Sequence, residues 1–263
     1  MRNPITYRSY LRLPDLLACQ QPLSDAHDEL LFISIHQASE IWLKLALHEL
    51  HAARDLIVAD DLRPAFKMMA RVARIQDQMI RSWEVLATMT PADYARMRDR
   101  LGTSSGFQSD QYREMEFMLG NKDAAMVDVH ADDPEVHAHL KAALAEPSLY
   151  DETLRLLARR GFAIPDAMLE RDFTRRYVAA PEVERAWAAV YADPETWWDL
   201  YELAEKLVDL EYHVQLWRFG HLKTVERVIG FKTGTGGTSG VQYLAKVLEK
   251  PFFPELLSVR TQL

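Results

Sequence analysis

Two histidines in this chain occupy positions that a helix would otherwise give to core residues. In residues 32–51, FISIHQASEIWLKLALHELH, Phe32, His36, Ser39, Leu43 and Leu47 recur at three- and four-residue steps and share one face of an α-helix. His221 falls on a second stripe, late in the chain, with Leu203, Leu207, Leu210, Val214, Trp217 and Val228. A single inward histidine is more often a hydrogen-bonded core residue than a ligand. Two of them on separate long helices, among Trp, Phe, Tyr and Met, suit a flat apolar cofactor held between helices with one imidazole as axial ligand. Haem meets that description. Its attachment would be non-covalent, since the chain contains no Cys-x-x-Cys-His.

Other chemistries fail on spacing. No histidine has Asp or Glu three residues before it, which removes the paired Glu-x-x-His of di-iron bundles, and His48-Glu49-Leu50-His51 is one residue short of a zincin motif. His130, His137 and His139 lie among Asp128, Asp132, Asp133 and Glu135, a set that either binds a surface metal or forms a solvated polar loop. A Gly-x-Ser-x-Gly elbow between a strand and a helix is not expected, because strand-type alternation is scarce. Residues 234–240 have the glycine content of a phosphate loop without its Lys-Ser/Thr ending or a preceding strand. They suit a lid closing on a small polar ligand.

The elements that must position these side chains read as helices. Five of the ten glycines fall in residues 230–240, so breaks elsewhere are few, and strand-type alternation is scarce. Ser24 is expected to cap a helix running to about Val58, and Asp60 and Asp61 to introduce another through Met68, Met79 and Leu86. Thr90, Pro91 and Asp93 form a helix start, from which Tyr94, Arg98 and Leu101 follow at i, i+4 and i+7 before Gly102. A small-residue loop, GTSSGFQS at 102–109, precedes a helix through Tyr112, Met115 and Met118. Residues 121–193, acidic and punctuated by proline, read as a helical elaboration with helices near 134–144, 147–160 and 181–191. The last long helix is expected over about 194–229. These expectations make one all-α domain over residues 1–263, a bundle of long helices enclosing a haem.

At 263 residues and 48% hydrophobic content the chain can bury a sizeable core. A formal net charge of −8 with scattered Lys and Arg gives no basic stripe for a phosphate backbone, so nucleic acid is not an expected partner. One cysteine, Cys19, no apolar leader and no uninterrupted apolar run of about 18 residues lead to the expectation of a soluble, cytoplasmic protein without a membrane partner.

Three segments together resemble the tryptophan 2,3-dioxygenase family: FISIHQASEIWLKLALHEL at 32–50, LGTSSGFQSDQYREMEF at 101–117, and LWRFGHLKTVERVIGFKTGTGGTSGVQYL at 216–244. The resemblance extends over nearly the whole chain. It implies an all-helical homotetramer with haem b, ferrous when active. Its reaction would insert both atoms of O2 across the indole C2–C3 bond of L-tryptophan to give N-formylkynurenine, the first step of tryptophan breakdown by the kynurenine pathway.

By the same resemblance, His221 matches the proximal iron ligand and His36 the distal histidine beside the indole N–H, the catalytic position. Phe32 and Tyr94 match residues bordering the indole, and Leu101 an apolar neighbour. Arg98 matches the carboxylate-binding residue, and Thr235 one that contacts carboxylate and ammonium. Ser105 and Gly106 match positions beside the haem and its oxygen, and Trp83 one near the haem edge. Tyr7, Tyr10 and Leu11, in the N-terminal segment 1–23, match residues that reach a neighbouring subunit's site. Asp110 departs from the pattern, standing where an apolar residue is expected.

The residue types suit these roles chemically. An arginine fork gives a carboxylate two parallel charge-assisted hydrogen bonds. A single strong axial histidine leaves the opposite face of an iron open, so His36 must stay off the metal, either positioning the indole or acting as its base. A helical haem sensor or oxygen carrier is the rival reading, for which Arg98 and Thr235 would have no use.

Overall fold

The computed structural model describes residues 4–237 and 239–263. These are helical, with no strand among the described residues. Ten helices carry the architecture: α1 (Glu29–Val58), α2 (Leu62–Leu86), α3 (Pro91–Arg98), α4 (Asp110–Leu119), α5 (Pro134–Ala145), α6 (Leu149–Arg159), α7 (Pro181–Ala192), α8 (Trp198–Ile229), α9 (Val241–Leu248) and α10 (Pro254–Ser258).

Helices α1, α2 and α8 make the bundle, with α2 packed against both of the others. The buried stripe of α2, Leu62, Ala65, Met69, Val72, Ile75 and Met79, has the three- and four-residue spacing of one helical face. It meets Leu43, Leu47, Leu50 and Ile57 of α1 and Leu203, Leu207, Leu210 and Val214 of α8 in one continuous core. Burying each large side chain contributes roughly 1.5–3 kcal/mol, so this seam fixes how the long helices sit. Over 18 residues α1 reaches a mean hydropathy of 1.2, enough with its length to resemble a membrane-crossing helix. Within the bundle, however, its Glu49 is buried and takes a 2.6 Å ion pair from Arg71 of α2.

Several helix starts differ from the sequence expectation. Ser24 does not cap α1, because the Glu29 carboxylate reaches back to accept the N–H groups of Leu23 at 2.7 Å and Ser24 at 2.8 Å, holding residues 24–28 outside the helix. Helix α6 begins at Leu149 rather than Pro147, since Ser148 and Asp151 form a reciprocal capping box there. Helix α8 begins at Trp198, four residues after Pro194. The Thr90 and Asp93 capping box of α3 is as the sequence indicates, but that helix ends at Arg98, leaving Leu101 in the following turn.

Residues 121–193 divide in two. Val127, Leu140 and Leu144 form a small cluster with Phe117 of α4, apart from the main core. Tyr150, Leu154, Leu157 and Trp187 belong to the main core itself. His130, just before α5, and His137 and His139 within it do not assemble a metal site: no group of three or more His, Cys, Asp or Glu among the described residues is arranged to hold an ion. His139 instead lies 2.8 Å from one Glu114 oxygen while His51 lies 2.8 Å from the other, which ties α5 to α4 and α1.

Candidate active site

A cavity lies between α1, α2, α3, the 104–107 loop, α8 and α9. On one side stand Phe32 and His36 of α1. Their rings are 4.2 Å apart, and Tyr94 of α3 lies 6.4 Å from Phe32. The His36 Nδ1 is 2.7 Å from the Phe32 carbonyl oxygen. A carbonyl only accepts, so Nδ1 carries the proton and Nε2 presents a lone pair. Burial holds the His36 pKa below the ordinary 6.5, favouring this neutral form.

The other side is built by α2 and α8. The Trp83 ring stacks on His221 at 4.7 Å with 6° between planes, and Trp217 flanks the same imidazole at 5.5 Å. Burial, with smaller contributions from His36 and Arg113, pushes the His221 pKa down to about 4. No protein group among the described residues hydrogen-bonds to this imidazole. A neutral, unengaged imidazole on a cavity wall has the lone pair that a metal requires.

The mouth is bordered by the glycine-rich loop and α9, whose Tyr243, Leu244 and Val247 face inward. Two contacts hold the loop. Arg98 donates from Nη2 to the Thr233 carbonyl at 2.6 Å, and Gly236 packs so closely on Ser105 that a Cβ there would lie 2.8 Å from the Ser105 hydroxyl oxygen. Only glycine allows that approach without displacing the loop. Thr235 sits beside the Tyr94 hydroxyl.

The cavity's lining is mainly aromatic and aliphatic, and a neutral axial donor set among aromatic walls fits haem.

The profile of the family described as tryptophan 2,3-dioxygenase matches residues 2–263. A protein of Erythrobacter litoralis named tryptophan 2,3-dioxygenase is 64% identical over 261 residues, 99% of each chain. Relatives of the same name from Caulobacter vibrioides and Bacillus cereus strain ZK are both 56% identical. The first is matched over all of both chains, the second over all of this chain and 94% of its own. The chain belongs to the tryptophan 2,3-dioxygenase family.

Of the residues singled out by resemblance to that family, Phe32, His36, Trp83, Tyr94, Ser105, Gly106, Thr235 and His221 line this one cavity. Arg98 and Leu101 do not. Arg98 stands at the mouth against the loop backbone, and Leu101 lies beyond the end of α3. Tyr7, Tyr10 and Leu11 lie on the N-terminal segment, 76%, 76% and 41% exposed, away from the cavity of their own chain.

The departure at Asp110 places a carboxylate in the first turn of α4, where the helix dipole favours it, near His130. Sequence reasoning placed Trp217 on the stripe of His221 but missed Tyr112, Arg113 and Tyr243 as wall residues. The available signal was the buried length of α4, Tyr112 to Leu119, in which an arginine and two glutamates interrupt the apolar residues.

Proposed function

We propose that this chain is a haem-dependent oxidoreductase that inserts both atoms of dioxygen across the indole C2–C3 bond of L-tryptophan, forming N-formylkynurenine. The observation that carries this reading is the placement of a neutral, unengaged His221 and an acceptor-form His36 in one aromatic cavity. In a family of dioxygenases named for tryptophan, this pair supplies one group for a metal and one for an N–H donor. His221 would hold haem b, with Trp83, Ser105 and Gly106 beside it, and the bound group would supply the activation of oxygen that protein side chains lack.

His36 accepts the indole N–H at Nε2 and so fixes the ring's rotation in its slot between Phe32 and Tyr94. Alignment of the reacting carbon atoms is worth several orders of magnitude when it replaces random encounter. Arg98 spends one N–H on Thr233, and its remaining donors serve the substrate carboxylate, with the Thr235 hydroxyl beside carboxylate and ammonium. Substrate binding and loop closure thereby share one arginine. Leu101 borders the indole end once the loop is shut. Tyr7, Tyr10 and Leu11 complete the mouth of a neighbouring subunit in a cytoplasmic homotetramer, a role supported by their apolar and aromatic character and their exposure in the single chain.

One spectrum tests the function. Protein loaded with ferrous haem, mixed with air-saturated buffer and L-tryptophan, should accumulate N-formylkynurenine absorbance in the near ultraviolet. Stable oxygen binding with tryptophan untouched would identify a carrier or sensor instead.

A further inference from the structure

Arg113 is the one guanidinium buried in the cavity wall whose binding edge has no protein partner among the described residues. It lies on α4, 6% exposed, with the Phe107 and Tyr112 rings 5.1 and 5.0 Å from its central carbon. Its Nη1 donates to Glu116. Glu116 also receives Nη2 of Arg218 at 2.7 Å, and Arg218 is itself 3% exposed. One carboxylate therefore serves two arginines, and the trio leaves a net positive charge in the wall.

Arg113 Nε is buried without a partner, and no hydrogen bond engages its Nη2 among the described residues. Nε–H and Nη2–H lie along the same edge of a guanidinium, the edge that takes both oxygens of a carboxylate in parallel. A buried cation with that edge empty costs free energy that an anion would recover.

The anion belongs to whatever fills the cavity on the His221 side, since the Tyr112 ring under Arg113 packs on Trp217 at 4.8 Å and Trp217 flanks His221 at 5.5 Å, while Arg98 sits at the mouth on the loop. We infer that Arg113 holds a propionate carboxylate of the haem through Nε and Nη2. This rests on the reading of the cavity as a haem site and adds a second anchor to it, electrostatic where His221 is coordinative. Glu116 and Arg218 position that anchor by fixing Nη1.

The test compares haem b with its dimethyl ester, which keeps the iron and macrocycle but has no carboxylate. Wild type, Arg113→Leu and Arg113→Lys are loaded with each, and transfer to an excess of a haem-scavenging apoprotein is followed at the Soret band. Wild type should release the ester at least about tenfold faster than haem b, the effect of a charged hydrogen bond. Arg113→Leu should release both at one rate, and Arg113→Lys should fall between.

Equal release of the two porphyrins by wild type overturns the inference without needing any variant to fold. So does an Arg113→Leu protein that keeps the wild-type preference, or one whose haem release is unchanged while KM for tryptophan rises, which would give the fork to the substrate. Failure of wild type to take up haem b at all would instead overturn the haem reading, and the inference with it.

Discussion

The Trp83 indole lies 4.7 Å from the His221 imidazole and within 6° of parallel, and the residue before that histidine is what permits it. A Cβ on Gly220 would stand 2.8 Å from Trp83 Cδ1. The glycine in RFGH thus sets how close α2 and α8 approach at the site, and the stack holds the imidazole plane.

Gly220→Ala should break this arrangement. The added methyl forces Trp83 off the ring, with a loss of about 1–3 kcal/mol typical of overpacking. A lower Tm and faster haem release are expected, and trimming the neighbour in Gly220→Ala/Trp83→Leu should restore part of the Tm. An alanine variant with wild-type Tm and haem release would show that the stack does not set the spacing.

His36 titration should govern the acid side of the reaction. Its pKa is lowered below 6.5, chiefly by burial, so the acceptor form persists as pH falls through 6.5 and protonation removes it only at lower pH. The acid limb of kcat/KM should lie below pH 6.5 and disappear in His36→Gln. His36→Ala should retain haem and lose about tenfold or more in turnover. Bleaching of that variant would mean the two faces have been exchanged.

For Arg98, the expected phenotype is in KM. Removing charged hydrogen bonds worth about 1.5–3 kcal/mol each should raise KM for tryptophan by roughly ten- to a hundredfold in Arg98→Ala. Arg98→Lys should recover part, because lysine has no planar fork. Indole, which lacks the carboxylate, should feel only the loss of the Thr233 contact and so change less than tryptophan. Near-normal KM values in both variants would place the carboxylate elsewhere.

Deleting residues 1–12 removes Tyr7, Tyr10 and Leu11, which are exposed in the single chain. The truncated protein should form smaller assemblies by light scattering and show a raised KM. A fully active monomer would refute the shared site.

Much of this was legible in the sequence because helical periodicity is a local signal. His36 and His221 could be placed inward from spacing alone, and the Thr90–Asp93 box marks its own helix. The extent of α3 was not legible: it stops at Arg98, which leaves Leu101 in a turn outside the wall, while Arg98, still on the Tyr94 face, reaches the loop backbone. Ser24 misled because a capping residue competes with any nearby carboxylate, and Glu29 takes its N–H. Arg113 was hidden because an arginine in a mixed helix reads as a solvated face until tertiary packing encloses it.

The most direct test is the Soret spectrum of ferrous His221→Gly with and without added imidazole. The account predicts weak haem binding by the variant, and imidazole entering the vacated space beside Trp83 to restore the wild-type band together with some tryptophan turnover. A His221→Gly protein that binds haem with an unchanged spectrum and needs no imidazole would contradict the assignment of His221 as the residue that holds the iron.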